Sequence, residues 1–85
     1  MDLETAASRE LRRMEEVFSG LRVLRECDVL QLAESYFRDS RYFLDRSQYL
    51  EAFESAVISW AYIDALLHMG YVDVPDGMKH WFTVE

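Results

Sequence analysis

Two histidines, one cysteine and two acids set among aromatic residues are the groups through which this chain could do chemistry. A zinc site needs about four N, S or O ligands at short range. Cys27, His68 and His80 show none of the paired spacings that bring such ligands together, so no metal is expected. No Gly-rich loop is present to cradle a phosphate, and no cofactor is expected. Asp39 lies between Tyr36 and Tyr42, and Asp64 follows Trp60 by four residues. Paired carboxylates perform acid–base chemistry when burial splits their pKa values. Acids on a helix edge beside aromatic donors more often serve packing by accepting hydrogen bonds. Tyr36, Asp39 and Asp64 are therefore expected as buried polar groups, bonded across a helical hairpin. A Ser–His–Asp relay is assembled only in space, and a chain with three Gly has few loops on which to build one. The expectation is a protein that is not an enzyme.

Tyr42 is a different case. It projects onto a polar helix face, one turn from Arg38 and one turn from Arg46. An exposed Tyr between two Arg is suited to a partner surface or a nucleotide ring.

The elements that hold these groups read as helices. Leu3, Ala7, Leu11, Met14, Phe18 and Leu21 recur at helical spacing, giving an amphipathic helix over about 3–19 that Gly20 is placed to end. Arg12 and Arg13 fall on its wet side, with Glu16 four residues after Arg12 to pair with it. Residues 21–27 form a connector whose Leu21, Val23 and Leu24 pack over one end. Asp28, with Gln31 three residues on, matches a capping box and opens a second helix over 28–45. Glu34–Arg38 and Arg41–Asp45 are spaced as ion pairs on its polar face. Ser47 is placed as the N-cap of a third helix over 48–69, closed by Gly70. The short link makes the last two helices antiparallel neighbours.

The third helix has an expected core row of Tyr49, Phe53, Ala56, Trp60, Ile63 and Leu67, facing Tyr36 and Phe43. Its second half is also apolar on the opposite side, at Ile58, Tyr62, Ala65, Leu66 and Met69. A helix apolar all round must be covered all round. Ile58, Tyr62, Leu66 and Met69, with Tyr42 and Arg38, are thus the candidate interaction surface. Two covers are available: a tail over 71–85, reversed at Val74–Gly77 and bringing Trp81 and Phe82 back, or a second copy of the chain.

Composition narrows the function classes. Sixteen Asp and Glu against nine Lys and Arg give a formal charge of −7. General nucleic-acid binding needs the opposite balance, so nucleic acid is not an expected partner. One cysteine allows no internal disulfide and suits a reducing compartment. No run approaches the ~20 apolar residues of a membrane span, and the N-terminus has no apolar signal region. A cytoplasmic location is expected.

From Ala33 to Ala65 the chain resembles the small archaeal proteins catalogued as domain of unknown function 357. The resemblance rests on Ala33, Tyr36-Phe37, Asp39-Ser40, Tyr42-Phe43-Leu44, Tyr49, Ala52-Phe53, Trp60-Ala61-Tyr62 and Asp64-Ala65. Where the family has Gly-Asp or a similar pair at the helix turn, this chain has Arg46-Ser47-Gln48. The resemblance implies an archaeal, cytoplasmic, compact helical bundle and no activity. A fainter similarity is to HEPN-class helical hairpins. Their ribonuclease members carry Arg followed within a few residues by His, and here no Arg follows Arg46.

The expected architecture is all-α: a single domain over 1–85, built as an antiparallel three-helix bundle with an ordered C-terminal tail. The expected function is a non-catalytic protein-interaction or oligomerisation module, with a protein or itself as partner and a homodimer as one form. The alternative is a nucleotide- or RNA-associated HEPN-like protein that lacks the ribonuclease motif.

Overall fold

The computed structural model describes residues 1–84. Three α-helices dominate: α1 (Leu3–Gly20), α2 (Asp28–Asp45) and α3 (Tyr49–His68). A two-residue strand, β1 (Arg22–Val23), follows α1 and pairs antiparallel with β2 (Val72–Asp73), which follows α3. A 3-10 helix at Asp76–Trp81 follows β2.

α1 begins where the Asp2 carboxylate accepts the Thr5 backbone N–H at 2.7 Å, satisfying one of the unpaired donors of the first turn. That bond also holds the Asp2 carboxyl below its ordinary pKa. Ala7, Leu11, Met14 and Val17 form the buried stripe of the helix. Gly20 is the last helical residue, but no left-handed turn requires it there. A Cβ at Gly20 would lie 3.2 Å from Met78 Cε and from Pro75 Cδ and Cγ, so glycine lets the tail cross close to α1.

Of the connector residues expected to cover one end of the bundle, only Leu21 packs against the core. Arg22 pairs with Asp73 in register and through a 3.2 Å side-chain ion pair. The Leu24 and Arg25 amides both donate to the Tyr71 carbonyl, at 2.9 and 3.0 Å. The connector and tail thus hold each other, and Val23 and Leu24 stay exposed. α2 starts one residue away from the expected cap. Cys27 is the N-cap and makes no side-chain bond, while Asp28 lies in the first turn, at the positive end of the helix.

The turns at both ends of α3 share one solution. After α2, the Ser47 N–H donates to Leu44 O at 3.0 Å and the Gln48 N–H to Phe43 O at 2.9 Å. After α3, Gly70 N–H donates to Leu67 O at 3.2 Å and Tyr71 N–H to Leu66 O at 3.0 Å. Each is a Schellman closure, which needs a left-handed residue just past the helix. Gly70 supplies it with φ 75°, and Ser47 with φ 60°. Ser47 is therefore the C-terminal stop of α2 and not the N-cap of α3, which is Gln48.

The α2–α3 contact is built from small residues. Ala33, Ser40, Ala52, Ser55, Ala56 and Ser59 are all buried. The Ser59 hydroxyl donates to Ala33 O at 2.7 Å, and the Ser40 hydroxyl to Ala52 O at 2.8 Å. Position 33 thus meets 59 and position 40 meets 52, which makes the two helices antiparallel. Ser55, expected on the polar back of α3, is buried instead. Compared with the row expected from the large residues, α3 is turned by roughly 60° at ~100° per residue. Leu66 enters the core, and Tyr49, Phe53, Trp60 and Leu67 move to its flank.

None of the three expected i,i+4 ion pairs forms among the described residues. Arg41 reaches across to Glu15 on α1 at 3.6 Å and covers the Phe37 ring, while Arg38 donates to Ser35 Oγ. Intrahelical pairs are worth only about 0.2–0.5 kcal/mol, so a cross-helix partner or an aromatic face readily replaces them.

Candidate functional site

Two places bring the residues with chemistry together. The first is the clamp that closes the tail on α3. Trp60 Nε1–H donates to the Trp81 carbonyl at 2.8 Å, and the Phe82 ring stacks on Trp60 with centroids 5.8 Å apart and planes 4° apart. One turn further along α3, Asp64 accepts the Thr83 N–H at 2.9 Å and the Thr83 hydroxyl at 2.7 Å. His68, one turn further again, places Nε2 2.6 Å from the same hydroxyl. Trp60, Asp64 and His68 succeed one another at four-residue spacing, so one edge of α3 reads the tail residue by residue.

This cluster has the membership of a hydrolytic relay, with a hydroxyl, an imidazole and a carboxylate. Its polarity is reversed. The Thr83 hydroxyl has one proton and gives it to the Asp64 carboxylate, while the direction of the His68 contact is set by the imidazole tautomer. A nucleophile needs the imidazole to accept that proton. Asp64 is also spent on a backbone amide, and its side chain is only 15% exposed. The arrangement supports a latch for the tail.

The second place is the side of the α2–α3 hairpin that faces away from α1. Phe37 stacks on Phe18 of α1 with centroids 4.7 Å apart, which fixes the side of α2 that α1 covers. Tyr36 is one residue earlier, about 100° around the helix, and stacks on Tyr62 of α3 at 6.0 Å. Helical spacing sets Leu32, four residues before Tyr36, and Ile58 and Met69, four before and seven after Tyr62, on the same side as this pair, and they are 45%, 38% and 58% exposed. Ala65 is exposed as well. No other described element packs over these residues.

The expected site residues divide accordingly. Ile58, Tyr62 and Met69 come together on the open face. Leu66 does not, because its side chain is fully buried in the core. Tyr42 and Arg38 lie elsewhere on α2. The Tyr42 ring is 52% exposed and carries the Arg46 guanidinium at 4.5 Å, while Arg38 turns to Ser35. Asp39 is exposed and not a buried polar group; a carboxylate on α2 without a donor facing it stays in water. Asp64 is part-buried, and its partner is the tail and not an aromatic donor across the hairpin. Tyr36 is half-buried by its stack on Tyr62. Leu32 was not marked in the sequence. Its signal is an apolar residue on the wet side of α2, four residues before Tyr36.

Among the described residues no group of three or more His, Cys, Asp or Glu could hold a metal ion, and no helix is long and apolar enough to cross a membrane.

The model for the family described as protein of unknown function, DUF357, matches residues 4–72. Among solved structures, this fold is similar to protein AF1782 from Archaeoglobus fulgidus, titled with the same family. The two chains are 29% identical with a TM-score of 0.75, over 86% of this chain and 93% of that one. No curated protein gives a significant match.

Proposed function

The chain belongs to the DUF357 family of proteins of unknown function, and we propose that it is a non-catalytic interaction module whose open hairpin face packs against a second copy of itself. The observation that carries the reading is the exposed Leu32, Ile58 and Met69 around the Tyr36–Tyr62 stack. Apolar residues clustered in this way on a small protein mark an interaction surface. Tyr at the centre of such a surface supplies large area with a polar edge.

A second copy fits this face for three reasons. The molecule is only 17 Å deep along its shortest axis, about two layers of helix at 8–10 Å spacing. The face is the flat back of an antiparallel hairpin, and two hairpins back to back make a four-helix packing. The stacked Tyr pair sits between two helices, so a two-fold axis through it sets like residues against like. The tail is engaged elsewhere, on the Trp60–Asp64 edge.

The archaeal source is supported by the Archaeoglobus fulgidus relative, and the cytoplasmic location by the single Cys27. NMR spectra over a range of concentrations test the central reading. Concentration-dependent shifts confined to Leu32, Tyr36, Ile58, Tyr62 and Met69 are expected. Spectra unchanged by dilution, or changes centred on Tyr42 and Arg46, would contradict it. The nucleotide- or RNA-associated alternative has one observation in its favour, a gathering of arginines on α1.

A further inference from the structure

We infer that a cleft between α1 and the tail is a binding site for the phosphoryl group of a small phosphate ester. The cleft has a volume of about 160 Å³ and is lined by Arg9, Arg12, Arg13, Glu16 and Trp81. Nine Lys and Arg serve the whole chain against sixteen acids. Three of them meet in this one cleft, on two successive turns of a single helix.

Two of the three guanidinium groups, those of Arg9 and Arg13, have partners before any ligand arrives. Glu10, with its side chain 17% exposed, pairs with Arg9 and Arg13, both at 3.5 Å. Arg13 also lies over the Trp81 ring at 5.6 Å from its centroid. Trp81 is fixed in turn, since its carbonyl accepts the Trp60 indole N–H. Arg12 is the exception. The pairing with Glu16 that its spacing suggested is not made, and Arg12 forms no ion pair among the described residues. All of its donors are free for a ligand, whereas Arg9 and Arg13 each commit one nitrogen to Glu10 and keep the rest.

The size and charge select the ligand. Small-molecule sites usually occupy about 300–1,000 Å³. This cleft holds an anionic head and leaves the rest of the molecule outside. A carboxylate is satisfied by one Arg fork, whereas a phosphoryl group has three strong acceptor oxygens and a charge of about −1.5 to −2. Several guanidinium groups around one small cleft suit the second. Glu10 and Glu16 together offset two of the three positive charges, so affinity for a single phosphate is modest. A nucleic-acid strand is a poor fit, because phosphates beyond the cleft meet a surface whose net charge is negative.

The test is NMR of the arginine Nε–Hε groups during titration with inorganic phosphate, then with adenosine monophosphate, on the full chain. Saturable shifts at Arg9, Arg12 and Arg13 are expected, weakening as sodium chloride is added. Arg12→Gln is expected to weaken binding about tenfold or more, the loss of a charge-assisted bond. Arg46→Gln, on the Tyr42 ring, is the control and is expected to bind as the parent does. Linear, unsaturable shifts spread over all eight arginines would overturn the site. So would unchanged binding in Arg12→Gln. A short single-stranded RNA that binds far more tightly than adenosine monophosphate, and shifts arginines outside the cleft, would overturn the assignment to a small ester.

Discussion

The hydroxyl of Ser59 sits 2.7 Å from the carbonyl oxygen of Ala33, so the middle of α3 is bonded directly to the backbone of α2. Both residues are fully buried. A side chain as short as serine can reach a neighbouring carbonyl only where the helices approach closely. The hairpin is therefore held by small residues, and the large ones flank it.

Two substitutions at this point should behave differently. Ser59→Ala removes one buried hydrogen bond and is expected to cost about 1 kcal/mol. Ser59→Leu adds volume where no space exists and should cost about 1–3 kcal/mol or more. Urea unfolding measures both. A leucine variant as stable as the parent would show that the helices are not close-packed there.

The Ser47 stop of α2 carries a left-handed backbone on a residue with a Cβ, at φ 60°. Left-handed geometry costs an L residue roughly 1–2 kcal/mol, part of which glycine gives back as extra freedom of the unfolded chain. Ser47→Gly should therefore raise stability by up to about 1 kcal/mol. A fall in melting temperature would mean that the serine side chain contributes a bond outweighing the strain.

Trp60 anchors the tail through its indole N–H and its stack on Phe82. Trp60→Ala should cost about 3 kcal/mol, the low end for a tryptophan, since the ring is only part-buried. Phe82→Ala and removal of residues after Asp76 should shift tryptophan fluorescence to longer wavelength, as Trp60 meets water. An unchanged emission maximum would place the Trp60 ring away from the tail.

The helical architecture was legible in the sequence because polar and apolar residues alternate with a clear 3.6-residue period in α1 and α2. The phase of α3 was not. Tyr49, Phe53, Trp60 and Leu67 outweigh Ala52, Ser55 and Ser59 on any hydrophobic scale, so the pattern points the wrong stripe at α2. Burial here follows how closely two backbones can approach, which favours the smallest side chains. The misplacement of Leu66 follows from that phase error. The β1–β2 pair was invisible, since two residues per strand carry no period. Asp64 stood out as an acid next to the core. Its partner, Thr83, lies 19 residues away in a segment without periodicity, and only the folded tail brings them together.

The Asp2 cap gives the stability of α1 a dependence on pH. The Thr5 N–H bond lowers the Asp2 pKa in the folded chain. A depressed carboxyl contributes stability that is present above its unfolded pKa and lost as pH falls through its folded pKa. Asp2→Asn should therefore melt closer to the parent in acid than at neutral pH. The same gap in melting temperature at both pH values would show that the cap does not depend on the charge.

The central claim is that the open face of the hairpin, around Tyr36 and Tyr62, joins two copies. Sedimentation equilibrium of the parent and of Ile58→Glu tests it most directly. Ile58 is on the surface, so the added charge meets water in the monomer and is buried only in the pair. The account predicts that the parent has twice the chain mass of 10.1 kDa at micromolar concentration, and that Ile58→Glu is monomeric with unchanged helical circular dichroism. A parent that stays monomeric at every concentration, or an Ile58→Glu variant that stays dimeric, would contradict it.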